Sequence, residues 1–179
     1  AMKGIESLGG WAMAMDGPFG KFDGTRFIDV GGSLGHFLHK VLIANPKKQG
    51  ILFDREPVLV NARKLWNEPG GVYNDSVEER MTMVSGDFFN VDSIPDAQDG
   101  DVYYMRYILH DWPKKEAVEI LRNIRTKMGS TKATLLIGEC VIPERSVVGV
   151  PPIMYHIDMQ MMAIFVTAKE RTPTMWRNS

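Results

Sequence analysis

Arg26-Phe27-Ile28-Asp29-Val30-Gly31-Gly32-Ser33-Leu34-Gly35 is the stretch that decides the fold. Its first five residues read as a buried strand, the glycine run to Gly35 closes that strand, and a helical stretch follows through Ala44. Next, Ile51-Leu52-Phe53 ends at Asp54, and Pro57 suits the first turn of a helix reaching towards Trp66. These elements complete a βαβ unit.

Further along, Met81 to Val84 ends at Gly86-Asp87. Asp101 to Leu109 is the longest strand candidate and is broken by His110-Asp111-Trp112-Pro113. Ala117, Ile120, Leu121, Ile124 and Met128 then recur with helical spacing, forming one apolar face that Gly129 is placed to terminate. Ala133 to Ile137 gives a fifth strand with Glu139 directly after it, and beyond Pro151-Pro152 a methionine-rich helix is expected over Ile153 to Phe165. Strands alternating with helices through right-handed crossovers imply an α/β fold, a mostly parallel, doubly wound sheet with helices on both faces. The stretch from Leu65 to Met81, with Pro69-Gly70-Gly71, is long and is expected to form a surface loop.

The chain has 179 residues, 44% hydrophobic and 24% charged, with a formal net charge of −1. That composition fits one globular core, and no block of like charge offers a grip on nucleic acid or anionic lipid. A single cysteine, Cys140, beside 12 methionines points to a reducing, cytoplasmic setting. No apolar run reaches the ~20 residues of a membrane helix, and the start lacks a signal-peptide pattern.

Ligands of doubly wound sheets bind beyond the carboxyl ends of the strands. Here those ends carry the glycine turn of Gly31, Gly32 and Gly35, then Asp54, Asp87, His110 and Glu139. Asp54 lies 19 residues after Gly35, where an acid ending the second strand accepts hydrogen bonds from both ribose hydroxyls. The turn lacks the full dinucleotide fingerprint. A ribose-bearing ligand without a pyrophosphate, such as S-adenosylmethionine, therefore stands beside NAD as a candidate.

Asp29-Val30-Gly31-Gly32, Gly86-Asp87-Phe88-Phe89, Leu109-His110-Asp111-Trp112, Gly138-Glu139-Cys140 and Ala168-Lys169-Glu170-Arg171-Thr172 together resemble the successive motifs of S-adenosylmethionine-dependent small-molecule O-methyltransferases. The type is that of the plant caffeate and animal hydroxyindole enzymes. The resemblance implies a Rossmann-like class I methyltransferase core that uses S-adenosyl-L-methionine, releases S-adenosyl-L-homocysteine and needs no metal. It implies that His110 is the general base, flanked by Glu139 and Glu170. Asp54 and Asp87 would hold the ribose and adenine ends of the cofactor, with Asp29, Gly31, Gly32, Gly35, Phe88, Arg106, Asp111 and Trp112 also lining its site. Met161 and Phe165 would line the acceptor pocket.

Methyl transfer from a sulfonium requires an oxygen nucleophile, and a phenol with pKa near ~10 is a poor one until its proton leaves. Histidine, with pKa ~6.5, can take that proton, and a carboxylate on its other ring nitrogen would fix the tautomer. Glu139, on the neighbouring strand end, is the expected partner. The leaving group is already cationic, so alignment carries much of the remaining work and a metal is not required.

Other patterns read more simply. His36 and His39 lie three apart on the first helix, where a solvated face is expected rather than a metal pair. Asp96, Asp99 and Asp101 lack calcium-loop spacing and suit a polar turn. His156, Asp158, Met159, Met161 and Met162 form a helix face that serves either as core or as pocket wall.

The sequence departs from the family at Ser33, where a third glycine stands, and at Arg106, where the family has lysine. Family members also carry an N-terminal dimerisation domain roofing the acceptor pocket and a final pair of strands. Against that pattern the chain reads as a core truncated at both ends, with residues 1–20 as a linker-helix region that includes Ala1 to Met15. Residues 21–179 would be the methyltransferase core. Taken alone, it is expected to be a poor enzyme with an uncovered fifth strand, and the full-length protein a homodimer. The alternatives are a nicotinamide-dependent reductase on the same βαβ unit and a fragment that binds cofactor without turnover.

Overall fold

The computed structural model describes residues 14, 18–22, 24, 26–68, 77–145, 149, 155–156, 158–159 and 168–177. Five strands, β1 (Arg26–Val30), β2 (Gln49–Asp54), β3 (Met81–Ser85), β4 (Val102–Arg106) and β5 (Thr134–Gly138), form one sheet in the order β3-β2-β1-β4-β5. Every pairing is parallel. The expected Rossmann-like architecture is present, and all five carboxyl ends fall on one edge. The direction of strand addition reverses between β1 and β4, which opens a crevice at that edge.

Strand residues alternate between the two faces of the sheet. Phe27, Leu52 and Tyr104 pack with Phe37, Leu38 and Leu42 of α1 (His36–Ala44) and with Leu59 and Trp66 of α2 (Glu56–Trp66). Ile28, Val30, Phe53, Tyr103 and Met105 pack on the other side against α3 (Lys114–Met128). The periodic face of α3 is the one that packs, with Ala117, Ile120 and Ile124 buried and Leu121 and Met128 partly so. Gly129 ends the helix at φ +53°, its amide reaching back to the Arg125 and Thr126 carbonyls. Burial of both faces by helices is what permits an all-parallel sheet.

Several expectations need correction. β4 is five residues long and stops at Arg106, because Tyr107 takes φ +55° and turns the chain into a single 3₁₀ turn, Leu109–Asp111. β5 runs one residue later than predicted, over Thr134–Gly138. His39 is not on a solvated face. It is 5% exposed, its ring edge-on to Trp66 with centroids 5.4 Å apart, because the face of α1 that carries it packs against α2. The acidic cluster is a polar turn as predicted. The Asp101 carboxylate is buried against the Arg26 guanidinium and accepts the Gln98 amide at 2.7 Å, while Asp99 accepts from Lys132 N.

Ala1 to Met15 lies outside the described residues except for Ala14, which is helical and buried. Residues 69–76 of the predicted surface loop also lie outside them. So does most of the helix predicted over 153–165, of which Tyr155, His156, Asp158 and Met159 are helical. Among the described residues β5 pairs only with β4, and no helix is long and apolar enough to cross a membrane.

Gly31 is where the fold and the crevice meet. It has φ +72°, and a Cβ added there would lie 2.5 Å from Cδ1 of Ile108, on the turn after β4. A Gly31→Ala substitution is therefore expected to lower stability by about 2 kcal/mol, from left-handed strain together with displacement of Ile108. Urea unfolding measures this, and a midpoint equal to that of the parent protein would contradict it.

Candidate active site

Asp54 ends β2 with one carboxylate oxygen accepting the Ser33 amide at 2.8 Å and the other accepting the Arg55 amide at 2.7 Å. It thereby braces the glycine turn from the neighbouring strand, while each oxygen keeps a second lone pair for a ligand. Gly31 N donates to Phe53 O, and Gly86 N to Asp54 O, so the ends of β1, β2 and β3 are stitched together by backbone bonds. Ser33, where the family has glycine, sits at φ +56°. Asp29 is 3% exposed and lies directly beneath Gly32, where a Cβ would come within 2.5 Å of its Oδ2.

Asp87 is exposed and caps its own loop by accepting the Phe89 amide at 2.9 Å. Beside it, the rings of Phe88 and Phe89 meet the Trp112 indole edge-on, with centroids 5.8 and 4.7 Å away. The Arg106 guanidinium lies 4.5 Å from the centre of the Phe37 ring and 5.3 Å from that of Tyr107. The crevice thus has carboxylates at its β2 and β3 ends, an aromatic wall and one guanidinium.

His110 lies at the head of the crevice with its side chain 10% exposed. Its Nδ1 is 2.9 Å from Glu170 Oε1 and 3.7 Å from Glu139 Oε2, and its Nε2 is 3.4 Å from Asp111 Oδ1. The Tyr107 ring stacks on the imidazole at 5.7 Å. The two glutamates divide the work differently than predicted. Glu170, not Glu139, hydrogen-bonds the ring nitrogen, whereas Glu139 Oε1 accepts the Ile108 and Leu109 amides at 3.0 and 2.7 Å. A strand-end carboxylate next to a turn is within easy reach of that turn's free amides, so Glu139 holds the His110 turn in place. The segment 168–172 is what brings Glu170 to His110.

Burial, the largest single influence on His110, lowers its affinity for a proton. The Glu170 hydrogen bond and the charges of Glu139, Glu170 and Asp111 outweigh it, so the imidazole titrates above its ordinary 6.5. Burial raises the pKa values of Glu139 and Asp111, against the pull of His110, and it also raises those of the Tyr107 hydroxyl and the Cys140 thiol. His110, Glu139 and Glu170 could also offer a small cation one ligand atom each, all within 4.8 Å. The His110 Nδ1 and Glu170 Oε1 atoms already bond to each other.

Of the predicted site residues, the structure gathers His110, Glu139, Glu170, Asp111 and Arg106 around the β4 turn. Gly31, Gly32, Gly35 and Asp54 gather around the β1 turn, and Asp87, Phe88 and Trp112 form the aromatic side. Met161 and Phe165 lie outside the described residues. Tyr107 and Arg171 were assigned no role from sequence. Tyr107 carried no signal, but Arg171 stands beside Glu170 in a quoted motif.

A model of the O-methyltransferase domain matches residues 15–178. The chain is 36% identical over 159 residues to 8-amino-8-demethylriboflavin N,N-dimethyltransferase of Streptomyces davaonensis, an alignment covering 88% of this chain and 41% of that protein. It is 38% identical over 146 residues to the phenazine O-methyltransferase PhzM of Lysobacter antibioticus, covering 81% and 38%. Among solved structures, CalO1, a methyltransferase of calicheamicin biosynthesis in its S-adenosylhomocysteine-bound form, superposes with TM-score 0.73 at 28% identity, covering 97% of this chain and 46% of that one. The chain spans less than half the length of these relatives and structures.

The raised imidazole pKa has a sign that can be checked. Its contribution to stability is complete below 6.5 and is lost as pH rises through the folded-state value. An NMR titration of the His110 ring is expected to give a midpoint above 6.5, and Glu170→Gln, which keeps an acceptor but removes the charge, is expected to lower it. A midpoint at or below 6.5 in the parent protein would contradict the electrostatic account.

Proposed function

Given that the chain belongs to the O-methyltransferase domain family, we propose that its carboxyl edge serves transfer of a methyl group from S-adenosylmethionine to a hydroxyl of a small aromatic acceptor. In this reading His110 is the general base. The observation that carries it is the buried His110–Glu170 hydrogen bond at the head of the crevice. Family membership argues against the nicotinamide-dependent reductase.

The residues present fit the cofactor. A carboxylate ends β2 where a ribose diol would need an acceptor, an aromatic wall of Phe88, Phe89 and Trp112 suits a purine, and Asp87 is exposed beside it. When bound, S-adenosylmethionine supplies an electrophilic methyl group on a sulfonium.

The chain's own groups do the rest. With Nδ1–H donating to Glu170, the His110 lone pair lies on Nε2, which takes the hydroxyl proton as the oxygen becomes a nucleophile. The imidazolium so formed is stabilised by Glu170 at 2.9 Å, with Glu139 and Asp111 nearby. Glu139 keeps the turn from shifting by holding two of its amides. The aromatic class of acceptor is supported by the phenazine and riboflavin-type substrates in the relatives' names. We also propose, as the resemblance implies, that residues 21–179 are the catalytic core, that Met161 and Phe165 face the acceptor and that the full-length protein is a homodimer, and, from its single cysteine, that it is cytoplasmic.

Two substitutions separate binding from chemistry. Asp54→Ala is expected to weaken S-adenosylhomocysteine binding by ~2 to 3 kcal/mol in calorimetry, since each bond to a charged acceptor contributes about 1.5 to 3 and water replaces part of it. His110→Gln is expected to leave that affinity nearly unchanged while slowing methyl transfer to phenols about 100-fold, less for more acidic ones. Unchanged affinity in the first variant, or parental turnover of a weakly acidic phenol in the second, would reject the assignment concerned.

A further inference from the structure

We propose that Arg171 is the positioning residue of the general base: its guanidinium pins both ends of the turn that carries His110 and adds a positive charge to the buried surroundings of the two glutamates. The inference rests on the reading of His110 as the base. One guanidinium nitrogen donates to Leu109 O and another to Trp112 O, each at 2.7 Å, so a single planar group spans the turn. Arg171 is 4% exposed, and its guanidinium packs on the Trp176 ring at 5.2 Å. Its backbone is fixed as well. Ile142 N donates to Arg171 O at 3.3 Å, in a parallel bridge between Val141 and Arg171, and the adjoining Lys169 N donates to His110 O at 3.0 Å. Asp158 accepts the Glu170 amide at 2.9 Å and holds the same segment from its other side.

Charge explains why an arginine is needed there. The side chains of Glu139 and Glu170 are 2% and 1% exposed, and the Oε2 atom of each is buried with no hydrogen-bond partner. Were His110 their sole counter-charge, losing its proton would leave two buried anions uncompensated, and the base would be held in its protonated, inactive form. Burial lowers the Arg171 pKa and the charges of Glu139 and Glu170 oppose that shift, so a group with so high an intrinsic pKa remains a cation near neutral pH. The imidazole can then be neutral between turnovers. The groups facing it are Glu170 from the 168–172 segment, Glu139 from the end of β5, and Asp111 and the Tyr107 ring from its own loop. Lysine would keep the charge but could not bridge two carbonyls with one rigid fork.

The test is an NMR titration of the His110 ring in the parent protein, Arg171→Lys and Arg171→Gln, paired with single-turnover methyl transfer as a function of pH. Arg171→Gln is expected to raise the His110 midpoint by about one pH unit, and the acid limb of the rate with it, since a neighbouring cation has been removed. Arg171→Lys is expected to keep the midpoint near the parental value while its plateau rate falls about tenfold, as the fork is lost. An unmoved midpoint in a cooperatively folded Arg171→Gln protein would overturn the electrostatic role, and a parental plateau rate in Arg171→Lys would overturn the positional one. Should Arg171→Gln not fold, Arg171→Lys still decides the positional role, and comparing the midpoint in Arg171→Gln/Glu139→Gln, which removes a buried cation and a buried anion together, with that in Glu139→Gln alone decides the other: a higher midpoint in the double variant is expected, and an equal one contradicts it. The titration needs no methyl transfer. If His110→Gln turned over at the parental rate, the functional reading would fail while the Arg171 effect on the midpoint remained measurable.

Discussion

The hydrogen bond between His110 and Glu170 joins positions 60 residues apart in sequence, and the site takes its shape from what that bond demands. A carboxylate whose side chain is 1% exposed must be brought to the end of β4, so the 168–172 segment has to cross the turn that carries His110. It does so through backbone and guanidinium bonds to Leu109, His110 and Trp112. That turn is in turn pressed against Gly31, where a side chain of any size would strike Ile108. The glycine turn of β1 and the His110 turn after β4 are thus one packed unit at the point where strand order reverses.

Electrostatics follows from the same packing. Three carboxylates lie within 3.7 Å of the His110 ring nitrogens, two of them removed from water. In water such a cluster would be screened and weak; buried, it raises the proton affinity of the imidazole despite the desolvation that opposes it. In the proposed reading, an imidazole with a raised pKa is a stronger proton acceptor once neutral, and the positive charge of Arg171 favours that neutral form. Asp54 works in a more open setting. It is half-buried and bound to two backbone amides, a geometry that fixes the carboxylate while leaving lone pairs outward.

Much of this was legible in the sequence because it is local. The strand–glycine–helix run, the acid after the second strand and the apolar face of α3 each depend on residues close in the chain, and each appears where the pattern put it. What was misread depends on distant contacts or on a single backbone angle. Apolar patterning alone extends β4 through Leu109, and only the left-handed φ of Tyr107 ends the strand. His39 looked solvent-facing because spacing on α1 does not disclose that Trp66 of α2 will cover it. Glu139 was the expected partner of His110 because neighbouring strand ends are predictable. That Glu170 would be the carboxylate at hydrogen-bonding distance from the ring, rather than only flanking it, depended on the crossing segment.

The central claim is that the carboxyl edge of the sheet, and no other face, receives the cofactor. Amide chemical-shift mapping of the protein titrated with S-adenosylhomocysteine tests it directly. The account predicts that the saturable shifts concentrate at Gly32, Ser33, Arg55, Asp87, Phe88 and the Leu109–Asp111 turn. Shifts confined to the opposite edge around Asn45 to Lys48, or no saturable shifts at all, would contradict it.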